Sequence, residues 1–260
     1  VVLPHPDTDA LSALTQRLRR AGCVFAEDEA ALITATARTP GELDRMARHR
    51  CAGVPLQHVL GWARFCGLRL RVDPGVFVPR PRSQYLARQA TALAPPTGVA
   101  VDLCCGTGAL GAVLAHHHPR LRLHATDIDP ASLACARHNL PRAHLHQGDL
   151  FHALPDHLAH TIDILVANVP YVPSGHIALL PPEARDHEQH RALDGGDDGL
   201  DLVRRVADQA PHWLAPGGHL LIEVGHDQIT AARDAFTGAG LTCRVRHCPE
   251  QEATVIIGTR

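Results

Sequence analysis

The stretch Val99-Ala100-Val101-Asp102-Leu103-Cys104-Cys105-Gly106-Thr107-Gly108 decides the fold. Its first half is a short apolar run that reads as a strand, and the glycine-bearing second half hands over to a helical stretch from about residue 108 to 117. Glycines at such a handover let the backbone approach a ligand, and the first amide groups of the helix face it. Taken alone, the loop is equally an ordinary turn. Asp127 adds weight, because it ends the next apolar run 21 residues after Gly106. A carboxylate there can accept both hydroxyls of a ribose, so the spacing points to a nucleoside-bearing cofactor.

Working outward, strands fall near 99–104, 121–126, 143–147, 162–167, 218–224, 241–247 and 253–258, with helices near 108–117, 130–139, 199–214 and 227–239. Alternation of this kind implies an α/β, Rossmann-like, mostly parallel sheet covered on both faces, with its site at the carboxyl ends of the strands. The last two strands have no helix between them, which predicts an antiparallel end to the sheet. Upstream, residues 1–65 read as a small helical domain. Thr8 or Asp9 caps a helix through Leu11, Leu14 and Leu18, Glu27 to Ala37 gives a second, and Pro40 opens a third. Period-two alternation over 68–72, the Asp73-Pro74-Gly75 turn and 76–78 predict a β-hairpin linker within 66–84, leaving 85–260 as the main domain.

Composition bounds the function. With 260 residues, 45% hydrophobic and net charge −2, the chain can bury a core, and disordered or collagen-like classes are excluded. All 25 cationic residues are Arg. The 20 His are scattered without HExxH or zinc-finger spacing, so no metal is expected. Eight Cys without a CxxC fit a reducing cytoplasm. No apolar run reaches the length of about 18 residues that a membrane helix needs, and the opening VVLPHPDTDA lacks a secretory pattern, so no membrane is expected. Residues 1–82 carry 12 Arg against 8 acids, the remainder 13 against 19. Solvated surface explains that division, as does a basic helical module that docks an acidic partner.

Asp149 ends the third strand, where it can cap a turn or accept from an adenine amino group. Three carboxylates at successive strand ends, with no lysine and no GxGxxG, suit a cationic cofactor without phosphate better than a dinucleotide. S-adenosyl-L-methionine, with its sulfonium and no phosphate, is the better fit and the expected cofactor. The fourth strand then ends in Asn168-Val169-Pro170-Tyr171. This resembles the Asn-Pro-Pro-Tyr tetrapeptide of methyltransferases acting on planar amino groups. Because the lone pair of an amide is delocalised, its nitrogen is a poor nucleophile. The Asn168 side-chain oxygen and the Val169 carbonyl can accept its two N–H bonds; Val for Pro at 169 keeps that carbonyl while losing some stiffness, and Tyr171 stacks on the planar group or walls the pocket.

Residues 53–86 resemble the linker of the release-factor glutamine methyltransferases, the HemK-like family, through Gly53, Pro55, Gly61 and Phe77-Val78-Pro79-Arg80-Pro81. His187–Leu200 resembles that family's (F/Y)EPxxALxGGxDGL stretch, and Leu221-Ile222-Glu223-Val224-Gly225 its LxExG strand. The resemblance implies a class I methyltransferase domain and transfer of a methyl group from S-adenosyl-L-methionine to the glutamine of a release factor's Gly-Gly-Gln loop. A helical domain would help hold that substrate protein. Catalytic roles fall to Asn168, Val169, Pro170 and Tyr171, and substrate contacts to Phe77, Pro79, Arg80 and Glu188. Around the cofactor it implies Asp102, Cys104, Gly106, Thr107 and Gly108 in the loop, then Asp127 with Ile128, Asp149 with Leu150, and Asn168. Four places depart from the family pattern: Cys104 for Gly, Val169 for Pro, Ser83-Gln84 for Thr-Glu, and Gln189 for Pro. A left-handed Cys104 would cost about 1 to 2 kcal/mol, so an ordinary strand-end backbone is expected there. Among these changes Gln84 invites testing. Two alternatives stay open: methylation of a nucleobase amino group or a small amide-bearing metabolite, and a cofactor-binding interaction module without catalysis. Net charge and scarce aromatics argue against direct nucleic-acid contact.

Overall fold

The computed structural model describes residues 8–260; the opening segment and the side chain of Thr8, with the secretory reading and the Thr8 cap that fall on them, lie outside the described residues, and Asp9 stands in the first turn of the helix rather than before it. Helix α1 (Thr8–Arg20) buries Leu14 and Leu18 against α2 (Ala26–Thr36) and α3 (Pro40–Cys51). Thr39 caps α3 by accepting the Glu42 N–H at 3.1 Å, and Pro40 follows it where a missing N–H costs nothing. Short α4 (Leu56–Leu60) completes this layer around Ile33, Met46 and Leu60.

Arg50 of α3 is 7% exposed, and its guanidinium meets Glu29 at 2.6 and 3.1 Å, the Val54 carbonyl at 3.2 Å and Glu183 at 2.7 Å. Glu183 lies far along the chain, so this arginine ties the helical layer to the main domain. Removing one partner of a buried pair strands the other charge, at a cost of about 3 to 5 kcal/mol. Arg50→Ala is therefore expected to lower the melting temperature by roughly 10 °C, read by calorimetry. A melting temperature unchanged within a degree would remove this role.

The hairpin lies earlier than the sequence reading puts it. Strands β1 (Trp62–Phe65) and β2 (Leu68–Arg71) pair antiparallel about Cys66 and Gly67, whose φ values of 47° and 80° suit a two-residue hairpin turn. Asp73-Pro74-Gly75 does turn, with Val76 N–H donating to Asp73 O at 3.2 Å, but residues 76–78 leave the hairpin. Helix α5 (Gln84–Leu93), which the sequence reading left out, buries Leu86, Ala87 and Ala90. Small alanines on its inner face gave little periodic signal.

Thereafter the chain alternates: β3 (Gly98–Leu103), α6 (Ala109–His117), β4 (Leu121–Asp127), α7 (Pro130–Asn139), β5 (His144–Gln147), β6 (Ile162–Ala167), α8 (Pro182–His187), α9 (Asp201–Trp213), β7 (Leu214–Val224), α10 (Ile229–Gly238), β8 (Thr242–Cys248) and β9 (Ala253–Thr259). The sheet order is β5-β4-β3-β6-β7-β9-β8; β3 to β7 run parallel, and β9 is antiparallel to both of its neighbours. Both faces are covered. Leu165, Phe151, Val206 and Phe236 belong to the core on one side, and Ile164, Leu86, Leu114 and Leu221 to the core on the other. From β3 the chain steps outward to β4 and β5, then returns to β6 on β3's other flank. The crevice at that reversal, outside the carboxyl ends of β3 and β6, is where a parallel sheet of this kind binds ligands. Among the described residues no helix is long and apolar enough to cross a membrane.

Candidate active site

Strand β3 delivers Asp102 to that crevice. Its side chain is buried, one carboxylate oxygen accepts the Gly111 N–H at 2.8 Å, and Oδ1 has no partner. Burial, reinforced by the nearby Asp127 charge, pushes this carboxyl up to about 8 despite the Gly111 hydrogen bond. The backbone next turns sharply. Cys104 has φ 58°, which overturns the expected strand-end conformation. That turn lets the Cys105 N–H donate to Thr126 O at 2.9 Å and the Gly106 N–H to Asp127 Oδ2 at 2.8 Å, locking the loop to the end of β4. Leu150, with φ 49°, is strained in the same way, and both residues line one cavity. Gly108 caps α6 at φ 76° and does not line that cavity; a Cβ there would come within 2.7 Å of Leu140.

This first cavity, of about 350 Å³, is lined by the loop residues Asp102, Cys104, Gly106 and Thr107, by Asp127 with Ile128, and by Asp149 with Leu150. It therefore gathers every cofactor-binding residue expected from the sequence except Gly108. Asp127 Oδ1 accepts the Asp129 N–H at 2.9 Å, and burial raises its pKa against the pull of its two backbone donors. Ile128 is 52% exposed beside it. Asp149 Oδ2 meets Arg205 of α9 at 2.5 Å, so one of its oxygens is already engaged. Arg191 is likewise paired, at 2.9 Å, with Asp129. The two arginines on the wall thus have carboxylate partners, whereas Asp102 keeps an oxygen unmatched.

A second cavity, of about 360 Å³, adjoins the first and is lined by Arg80, Val169, Tyr171 and Leu180. Phe77, Asn168 and Pro170 line both cavities and form the wall between them. Asn168 Nδ2 donates to Ser83 Oγ at 3.3 Å, while Asn168 Oδ1 is buried and has no partner. The Tyr171 hydroxyl donates to Glu223 Oε1 at 3.1 Å, and Arg82 lies over its ring. Burial pushes the Tyr171 hydroxyl's pKa upward, so it remains a phenol. Gly199 backs the turn: a Cβ there would sit 2.2 Å from Tyr171 O.

Two expected substrate contacts are placed otherwise. Pro79 lines the first cavity rather than the second. Glu188, expected against the substrate, lines neither. Its carboxylate accepts the Val78 N–H at 3.1 Å and meets Arg80 at 2.6 Å, so it clamps the Phe77–Arg80 segment from behind. Burial raises its pKa and the Arg80 charge opposes the rise. Arg80 in turn lies 4.8 Å from the Phe77 ring centre. All eight cysteines are free thiols, and among the described residues no group of three or more His, Cys, Asp or Glu stands where it could hold a metal ion.

Residues 68–179 match the family model of the methyltransferase small domain. The release factor glutamine methyltransferase of Mycolicibacterium smegmatis is 37% identical over 246 residues, 92% of this chain and 84% of its own length. This chain belongs to the release factor glutamine methyltransferase family. A relative of the same name from Streptomyces coelicolor is 39% identical over 80% of this chain and 81% of its own. A 4-amino-L-phenylalanine/4-methylamino-L-phenylalanine methyltransferase of Streptomyces pristinaespiralis is 33% identical over 77% and 75%. Among solved structures, a methyltransferase from Pyrococcus furiosus superposes with TM-score 0.57 over 75% of this chain and 89% of that one. Ribosomal protein L11 methylase from Lactobacillus delbrueckii subsp. bulgaricus gives 0.52 over 70% and 80%. At 19% and 14% identity these two speak for the class I methyltransferase fold alone.

Within this family member, the Gln189 departure has a structural use. Gln189 Nε2 donates to Asp129 Oδ2 at 2.9 Å, Arg191 Nη2 to Asp129 Oδ1 at 2.9 Å, and Arg191 Nε to Gln189 Oε1 at 2.7 Å. A proline could make none of these side-chain bonds. Burial acts to raise the Asp129 pKa, but the bonds from Ser132, Gln189 and the backbone outweigh it, and the carboxyl titrates below its ordinary range. Together the three residues fasten the segment after α8 over the first cavity. Arg205, Arg191 and Arg82 escaped the sequence reading, because an arginine in an arginine-rich chain carries no distinguishing local signal.

Proposed function

We propose that the chain transfers the methyl group of S-adenosyl-L-methionine to the side-chain amide nitrogen of a protein glutamine, in the Gly-Gly-Gln loop of a peptide-chain release factor, and works in the cytoplasm. The observation that carries this reading is the buried Asn168 Oδ1, unpartnered on the wall between two adjoining cavities. A buried acceptor left open is costly unless a donor arrives, and a substrate N–H is such a donor.

The first cavity fits the cofactor by its donor set. The orphaned carboxylate oxygen of Asp102 suits a cation, Asp127 keeps lone pairs for ribose hydroxyls, and both arginines on the wall are already paired with carboxylates, so no unpaired arginine of that wall awaits a pyrophosphate. When bound, S-adenosyl-L-methionine supplies a methyl group made electrophilic by its sulfonium. The chain's own work is positioning. Asn168 Oδ1 accepts one amide N–H and the Val169 carbonyl the other, Tyr171 and Phe77 wall the planar group, and the clamp from Glu188 holds Phe77 and Arg80 in place. Fixed acceptors in a closed site need no reorganisation when charge develops on the nitrogen, so no strong general base is required.

Isotope-labelled donor and a purified release factor, analysed by peptide mass spectrometry, should show one methyl group on the Gly-Gly-Gln glutamine. Nucleic acid and 4-amino-L-phenylalanine in parallel reactions should accept none. Transfer to either of those and not to the release factor would replace this reading, and binding of the donor with transfer to nothing would favour an interaction module.

A further inference from the structure

Leu221-Ile222-Glu223-Val224-Gly225 and Asp197-Asp198-Gly199-Leu200 line neither cavity, yet both come together behind Tyr171. Gln228, three residues past Gly225 and 9% exposed, joins them. Its Oε1 accepts the Gly225 N–H at 2.8 Å, and its Nε2 donates to the Tyr171 carbonyl at 2.8 Å and to the Asp198 carbonyl at 2.9 Å. One N–H and two C=O groups face this carboxamide, so only one way round satisfies all three. Gly199 leaves the room for it, since a Cβ there would collide with both Gln228 Nε2 and the Tyr171 carbonyl. The far end of Tyr171 is held by β7. Its hydroxyl donates to Oε1 of Glu223, a 0% exposed residue, at 3.1 Å, and Arg82 Nε lies 2.9 Å from the same oxygen.

These bonds bear on the neighbours of Tyr171. The ring of Pro170 fixes its φ, so once the Tyr171 carbonyl and hydroxyl are pinned, the peptide plane between Val169 and Pro170 has few orientations left. That plane carries the Val169 carbonyl, and Asn168 is the next residue back. Valine at 169 lacks the ring that a second proline would give, so the turn depends the more on bonds made from outside it. Without them the two amide acceptors would shift relative to each other, and a misplacement of about 1 Å can cost roughly 100-fold in rate.

We infer that Gln228 and Glu223 are positioning residues that brace the substrate turn through the two ends of Tyr171 and so fix the Asn168 and Val169 acceptors against the substrate amide. The inference rests on the proposed function, in which those acceptors hold that amide. Neither residue lines the first cavity, so the donor binds whether or not the brace is intact.

The test measures kcat on a release factor at saturating donor in the full chain, with calorimetric binding of S-adenosylhomocysteine and thermal melting as controls for folding. Gln228→Glu keeps the acceptor for Gly225 but turns a carboxylate oxygen toward two carbonyls. Its kcat should fall by about 10- to 100-fold with S-adenosylhomocysteine binding kept. Gln228→Met, of similar length and without the carboxamide, carries the same expectation should the first variant not fold. Tyr171→Phe removes only the hydroxyl that Glu223 holds and should cost about 10-fold. A brace acting through Asn168 is also non-additive with it, so in an Asn168→Ala background the Gln228→Glu loss should shrink to roughly 3-fold. Native kcat in the Gln228 variants, or a loss undiminished by Asn168→Ala, would overturn the brace. If Asn168→Ala alone leaves transfer unaltered, the acceptor assignment beneath it fails; if it cripples transfer while Gln228→Glu and Tyr171→Phe do not, only the brace fails.

Discussion

Asn168→Ala is expected to lower kcat on the release factor by about 100- to 1000-fold at saturating donor, the scale found when one preorganised hydrogen-bonding group is removed from a site where charge develops. The reason is geometric. Asn168 Oδ1 is buried and unpartnered, so in the resting protein its desolvation is already complete and uncompensated. A substrate N–H supplies the missing partner, and the gain grows as the amide nitrogen becomes positive. Alanine removes that acceptor and also leaves Ser83 Oγ without its donor. Single-turnover kinetics should therefore show the loss in the chemical step. A variant within a few fold of the native rate would show that the amide is held elsewhere.

Asp127→Ala should weaken S-adenosyl-L-methionine binding by about 100-fold, measured by calorimetry. Hydrogen bonds to a charged group are worth about 1.5 to 3 kcal/mol each, so losing two ribose contacts costs roughly 3 kcal/mol or more. Asp127 also tethers the loop through the Gly106 N–H at 2.8 Å, and releasing it adds to the loss. A pH dependence accompanies this. The ionised form is the better acceptor, and burial raises the Asp127 pKa above its ordinary value. Affinity should then fall as pH is lowered, beginning above the usual carboxylate range, because protons compete with the ligand. Asp102, pushed up to about 8 by burial, adds to the trend in the same direction if its ionised form meets a cation. Affinity unchanged in Asp127→Ala would refute the ribose assignment.

Much of this molecule is legible along the chain. Parallel strands buried on both faces must be nearly continuous apolar runs, and the runs read at 99–104, 121–126 and 162–167 lie within a residue of β3, β4 and β6 at each end. Glycine loops and Asn168-Val169-Pro170-Tyr171 follow them directly, so much of the lining of the two cavities could be read from neighbours in sequence. Failures came where the deciding contact is distant. Cys104 takes a left-handed backbone because Thr126 and Asp127 lie ready for the next two amides, and that is set by the pairing of β3 with β4. Glu188 resembled a substrate contact, yet it serves Val78, 110 residues away in sequence.

The sequence by itself determined the α/β class and the antiparallel end of the sheet, because hydrophobic period and turn chemistry act over a few residues; the family, and with it Phe77, Asn168 and Pro170 on the wall between the cavities, was legible through the resemblance of short motifs. Only the tertiary structure decided the partners: Ser83 with Asn168, Tyr171 with Glu223, Arg50 with Glu183, and Gln189 with Asp129. Sheet order and strand register bring those pairs together, and no local pattern of side chains encodes the distance across a fold.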